Sequence, residues 1–130
     1  MTYREIFNSA IALIAEEVGD GAISDYEERA AYILAVFCNQ TARIDRQYRQ
    51  ANALSAGTYP DLGYISLDSS FILHPVFAPV AAYYLGSALT VDENEAMSER
   101  LFEQYTDAIA SIVSALPLSG APISDAYGLI

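Results

Sequence analysis

Apolar positions recur at three- and four-residue steps in four separate stretches of this chain, and each stretch predicts an amphipathic helix. In the first, Tyr3, Ile6, Phe7, Ala10, Leu13 and Ile14 form one stripe over about Tyr3 to Val18. A Thr2-x-x-Glu5 capping box opens it and Gly19-Asp20-Gly21 ends it. A second box, Ser24 with Glu27, opens a long helix of about Asp25 to Leu54. Ala30, Ile33, Leu34, Phe37, Cys38, Thr41, Ile44 and Tyr48 share one of its faces, and apolar density falls after Ile44. Ala56 to Leu73 breaks the helical period with Gly57, Pro60 and the Asp61-Leu62-Gly63 turn. Its Tyr64–Asp68 and Ser70–Leu73 runs have short strand character, so an extended arm or a small hairpin is predicted there.

The third helix begins between Pro75 and Pro79 and ends near Thr90, with proline tolerated in a first turn. Phe77, Val80, Ala81, Tyr84, Leu85, Ala88 and Leu89 cover more than one of its faces, which places it centrally or beneath another subunit. The fourth runs from about Glu93 to Leu116 on a stripe of Met97, Leu101, Tyr105, Ala108, Ile109, Ile112 and Leu116, and Pro117 stops it. Asp92, Glu93 and Glu95 at its start complement the helix dipole. The predicted architecture is all-α: a four-helix bundle-like subunit with an extended loop or small β-hairpin between helices 2 and 3. One helical domain covers 1–116, with the arm at 57–73, and a tail covers 117–130. The tail is apolar for its length, with Leu118, Ile123, Tyr127, Leu129 and Ile130, so it is expected to dock on a partner.

Charge narrows the function. Seventeen acidic residues face six basic ones, all arginine, for a formal net charge of −11 over 130 residues. Such a balance opposes freestanding nucleic-acid binding, which needs clustered Lys and Arg. The absence of lysine removes the Walker A loop and Schiff-base chemistry. One Cys and one His cannot build a Cys/His structural zinc site within one chain. Ser69 to Val91 lacks any Asp, Glu, Lys or Arg, yet Pro75, Pro79 and His74 interrupt it and acids flank it, so a core helix is expected instead of a membrane span. No secretory signal is visible at Met1–Glu5.

Little chemistry is indicated. Asp68, Ser69 or Ser70 and His74 lack a nucleophile elbow, and His74 reads as the cap of the turn before Pro75. Glu99 and Glu103 share a helix face that reads as solvated. Asp92, Asn94 and Glu103 match three positions of a calcium loop, but Ala96 and Met97 stand where a ligand and the essential glycine belong. Cys38, on the apolar stripe, reads as a core residue. No enzyme activity, cofactor or metal is therefore expected. Arg43, Arg46 and Arg49 share a helix flank and hold half of the basic residues. They read either as a solvated face paired with Asp45 and other acids, or as a contact for an acidic partner or for nucleic acid threaded past a ring.

The run His74-Pro75-Val76-Phe77-Ala78-Pro79-Val80-Ala81-Ala82-Tyr83-Tyr84-Leu85-Gly86 is the most distinctive. Asp92-Glu93-Asn94-Glu95, Leu101-Phe102-Glu103-Gln104-Tyr105 and Ala108-Ile109-Ala110-Ser111-Ile112 follow it. Over about Tyr64 to Ile112 this order resembles the C-terminal half of small tailed-phage head–tail connector proteins, the adaptor or tail-accessory class that binds below the portal. The resemblance implies an all-α subunit with an extended arm, a homo-oligomeric ring on the portal or beside other neck and tail proteins, and a virion location after assembly in the host cytoplasm. DNA would pass the ring at most transiently, repelled by an acidic wall. On that reading the arm, the arginine flank and the tail make the contacts, with Arg43, Arg46, Arg49, Tyr59, Tyr64, Phe71 and Tyr127 as candidate residues. Another virion role such as tail completion would look the same in sequence. A different class, a small acidic helical adaptor or regulatory protein acting as a dimer, would present the arginine flank to an acidic partner.

Overall fold

The computed structural model describes residues 1–14 and 23–116. Four α-helices form among them: α1 (Tyr3–Leu13), α2 (Ile23–Ala51), α3 (Ala78–Thr90) and α4 (Glu95–Ser114), with a 3-10 turn at Pro75–Phe77 leading into α3. No β-strand forms among the described residues, so the class is all-α. The 15–18 part of the expected first helix, the Gly19-Asp20-Gly21 stop and the tail at 117–130, with Tyr127, lie outside the described residues.

α3 is the centre. It carries no charged residue, and Val80, Ala81, Ala82, Leu85, Gly86, Ser87, Leu89 and Thr90 are all buried. α4 packs on it most extensively, then α1, then α2. The helix that is apolar nearly all round is thus covered by the chain's own helices. Gly86 explains the closeness of α4: a Cβ there would meet Leu101 Cδ1 at 3.0 Å. At the next residue of α3, Ser87 Oγ donates to the Ser98 carbonyl at 2.9 Å and Ser98 Oγ donates to the Ser87 carbonyl at 2.8 Å. The two hydroxyls are buried, and this exchange satisfies both. The Val91–Asn94 turn reverses the chain, and Asn94 caps α4 by accepting from the Met97 N–H at 3.0 Å. α4 therefore starts at Glu95, two residues later than its acidic run suggests, with Val91–Asn94 used for the reversal.

The second capping box is not the start of α2. The helix begins at Ile23, which puts Ser24 inside its first turn. Its early part is tied to the α3–α4 turn instead. The buried Tyr26 hydroxyl donates to the Glu93 carboxylate, and Arg29 Nη2 donates to the Ala88 carbonyl at 3.2 Å.

The Thr2/Glu5 capping box does form. Glu5 N–H reaches Thr2 Oγ1 at 3.4 Å, and Thr2 N–H donates to Glu5 Oε1 at 2.8 Å. The two remaining free amides of the first turn find partners in the 52–74 connection: Tyr3 N–H donates to the Ser69 carbonyl at 3.2 Å and Arg4 N–H to the Leu67 carbonyl at 2.7 Å. The expected pairing of 64–68 with 70–73 does not form; the one isolated bridge there is antiparallel and joins Ser70 to Thr2, so the arm pairs with the entry of α1. Arg4 adds ion pairs to Glu27 and Asp68, both at 2.7 Å, and its guanidinium holds the Asp68 carboxyl below the usual carboxylate range. These pairs are solvent-exposed and orient the joint more than they stabilise it.

The arm is not free. Ile65, Leu67, Phe71 and Leu73 are buried among α1, α2 and α3 in one continuous core. Phe71, a candidate contact residue, is 8% exposed and meets the Tyr3 ring edge-on at 5.5 Å. It belongs to the core because the β-like alternation of 65, 67 and then 71, 73 turns its odd positions inward. His74 caps the 3-10 turn as expected, its Nδ1 accepting from the Val76 N–H at 3.0 Å. Cys38 is buried as expected, 3.5 Å from the Tyr3 hydroxyl. No described helix is long and apolar enough to cross a membrane.

Burial gives this core an alkaline signature. It pushes the Cys38 thiol from 9.0 up to about 11, and it pushes the Tyr26 hydroxyl, helped by the Glu93 carboxylate, from 10.0 up to about 12. Both groups stay protonated in the fold at pH values where the unfolded chain has begun to release them. Stability is therefore complete below pH about 9 and falls as pH rises from there through about 12. Melting temperatures followed by circular dichroism from pH 7 to 12 should be flat to about 9 and then decline; a flat profile to the end would contradict this.

Candidate interaction surface

Asp45 organises the surface of α2. Its side chain has no exposed area and lies on the apolar stripe, between Thr41 and Tyr48. Oδ2 accepts from Arg49 Nε at 2.7 Å and from the Tyr59 hydroxyl, and Oδ1 accepts from the His74 N–H at 2.7 Å. A carboxylate buried alone is strongly disfavoured; paired with a guanidinium and given two further donors it is accommodated. The three donors come from α2 itself, from near the start of the arm and from the residue just past its end. One side chain thus pins the arm at two points. Arg49 extends the clasp, its Nη1 donating to the Ser55 carbonyl at 3.2 Å. Burial and the neighbouring Asp45 carboxylate push the Tyr59 hydroxyl upward, so it remains a donor.

A second clasp lies further along. Asn39 Nδ2 donates to the Leu62 carbonyl at 2.6 Å, and the Leu62 N–H returns a bond to Asn39 Oδ1 at 3.0 Å. The side-chain amide here replaces the edge of a strand. Beyond it the Ile65 N–H reaches the Ala31 carbonyl at 3.2 Å, and the Tyr64 ring lies 5.1 Å from Tyr32. The arm therefore runs antiparallel along α2, from Arg46 back to Ala31.

This pairing creates one outward face. At one end Tyr32, Val36 and Tyr64 are 54%, 44% and 61% exposed. At the other, Arg43 and Arg46 are exposed and make no ion pair among the described residues, with the Arg46 guanidinium 5.1 Å over the Tyr59 ring. About 21 Å of helix axis separates Tyr32 from Arg46, at 1.5 Å per residue. The expected arginine flank is divided: Arg49 belongs to the internal clasp, while Arg43 and Arg46 point outward. On α4, by contrast, Glu95, Glu99, Glu103 and Asp107 repeat at four-residue steps, all exposed, making a carboxylate stripe.

Of the candidate residues, Arg43, Arg46 and Tyr64 lie on this face. Tyr59 and Arg49 hold it together, Phe71 is core, and Tyr127 is outside the described residues. Asp45, Asn39, Tyr32 and Val36 were not among the candidates. An acid on the apolar stripe was the available signal for Asp45; nothing in the local sequence marks Asn39.

The groups that chemistry would need are engaged elsewhere. His74 Nδ1 is taken by the Val76 N–H, Asp68 faces Arg4, and Ser69 Oγ donates to the Ser66 carbonyl at 2.6 Å, so no Ser–His–Asp relay is assembled. No cluster of three or more potential metal ligands occurs among the described residues. Asn94 and Glu103 of the rejected calcium pattern are a helix cap and an exposed helix residue. No protein-family model, curated protein or solved structure matches the chain.

The clasp has a measurable weight. Asp45→Ala leaves the Arg49 guanidinium and the Tyr59 hydroxyl without their acceptor and opens a void, a loss of roughly 3–5 kcal/mol for a broken buried pair. Tyr59→Phe removes one bond to a charged acceptor, about 1.5–3 kcal/mol. Urea denaturation should rank Asp45→Ala well below Tyr59→Phe; equal stability of Asp45→Ala and the unaltered chain would contradict the role given to Asp45.

Proposed function

We propose that this chain is a structural subunit of a tailed-phage or prophage particle, a head–tail connector that assembles on the portal. The subunit is four-helix bundle-like, forms a homo-oligomeric ring, and meets the portal or neighbouring neck proteins through the α2–arm face. The reading joins the resemblance over about Tyr64 to Ile112 with one structural observation that carries it. A 29-residue helix and the arm clasped to it display an aromatic end and a cationic end, on a chain whose acids otherwise dominate. Pinned backbone and exposed large side chains suit shape-driven assembly, since little freedom is lost on binding. The α4 carboxylate stripe suits a wall that DNA passes without sticking. Tail completion would use the same face in another place in the particle.

Arg43 and Arg46, which make no ion pair among the described residues, favour a second reading, a small acidic adaptor that binds an acidic partner protein. Two surface variants separate the two: Arg43→Glu with Arg46→Glu, and Tyr32→Ser with Tyr64→Ser. All four side chains are exposed, so melting temperatures should hold. Supplied in place of the unaltered chain in particle-producing cells, each variant should lower the yield of infectious particles at least tenfold. Normal yields from both would contradict the connector and leave the adaptor.

A further inference from the structure

Two faces of opposite charge point away from each other in this fold. α2 and α4 turn their inner sides together across α3: the Phe37 and Tyr105 rings lie 6.4 Å apart, and they pack on Tyr84 at 5.4 and 5.1 Å. At about 100° per residue, Arg46 projects from the side of α2 opposite Phe37, and Glu103 from the side of α4 far from Tyr105. Arg43 joins Arg46 on an outer surface where, from Ala30 to Ala51, the one carboxylate is the buried Asp45. The exposed α4 stripe of Glu95, Glu99, Glu103 and Asp107 has one cation on its own helix, Arg100. No ion pair joins the two faces within the chain among the described residues. We propose that a second copy of this chain is the partner of both: the Arg43/Arg46 end of one copy docks on the α4 carboxylate stripe of the next, head to tail.

Charge complementarity selects this pairing from those open to two copies. α4 against α4 sets carboxylates against their own duplicates, and α2 against α2 does the same with guanidiniums. The α2–α4 contact joins unlike charges. Spacing agrees. A rise of 1.5 Å per residue puts Arg43 and Arg46 about 4.5 Å apart along α2 and Glu99 and Glu103 about 6 Å apart along α4, a difference that two long side chains absorb. Phe102, 51% exposed, and Val113, 44% exposed, lie on one line of α4 beside the stripe and give the contact an apolar border. Because the two joined surfaces differ, each added copy leaves one of each open, and the series grows until rotation closes it as a ring. The aromatic end, Tyr32 and Tyr64, stays clear for a portal or neck protein. The inference rests on the connector reading and supplies the contact for its ring.

Sedimentation equilibrium of the full chain, up to millimolar concentration, tests it. The unaltered chain should form species larger than a dimer. Arg43→Glu with Arg46→Glu, and Glu99→Arg with Glu103→Arg, should each weaken association at least tenfold. The two pairs move the net charge in opposite directions, so a general change in repulsion cannot account for both losses. A chain carrying all four reversals rebuilds the contact with its signs exchanged and should regain association, which a misfolded variant would not. A monomer at every concentration, a dimer that grows no further, or a four-reversal chain no better than either pair overturns the proposal. The readout needs no particle, so the two readings fail separately. Association by this contact in a chain absent from particles keeps the contact and sinks the connector, and a chain present in particles whose association ignores the reversals does the opposite.

Discussion

The whole arrangement depends on hiding α3. Eight of its thirteen residues, none of them charged, are buried, and removing their apolar surface from solvent supplies the main drive for the fold. Each other element is placed by that requirement. α4 comes closest because Gly86 leaves room for Leu101 and because Ser87 and Ser98 exchange bonds across the joint. α1 and α2 cover the remaining sides with Ile6, Phe7, Ala10 and Ile14, and with Ala30, Leu34 and Phe37. The 3-10 turn, capped by His74 and stiffened by Pro75, delivers the chain into this centre.

The arm is settled by a balance of two kinds of contact. Its C-terminal half, from Ile65 to Leu73, is held by apolar burial and by the first amides of α1. Its N-terminal half, from Ser55 to Leu62, is held by polar clasps at Asp45 and Asn39. A segment with little secondary structure thus becomes a fixed part of the α2 surface. The cost of burying Asp45 is offset by three donors, and the geometry that satisfies it also separates Arg49 from its outward neighbours.

Much of the helical core was legible because period carries it. Tyr3, Ile6, Phe7 and Ala10, then Leu34, Phe37 and Cys38, then Leu85 and Leu89 sit where their spacing places them. The Thr2/Glu5 box and the His74 cap were legible because their partners are local. What escaped was non-local. Phe71 looks like an aromatic on a free arm until α1 supplies Tyr3, 68 residues earlier, to pack against it. The Asn39–Leu62 exchange spans 23 residues and has no period to reveal it. Ser24 resembles a cap as much as Asn94 does, yet it lies inside the first turn of α2 while Asn94 caps α4.

The candidate surface follows from these same constraints. Because the arm lies on α2, Tyr64 stands beside Tyr32, and Arg46 stands over Tyr59. The face is therefore a property of the tertiary fold and not of either segment. It is aromatic at one end and cationic at the other, on an acidic chain. The most direct test of the central claim is to probe purified phage or induced-prophage particles for this chain by immunoblot, with the major capsid protein as positive control. The account predicts a band at several copies per particle, located at the neck by immuno-electron microscopy. A clear capsid signal with no band for this chain would contradict it.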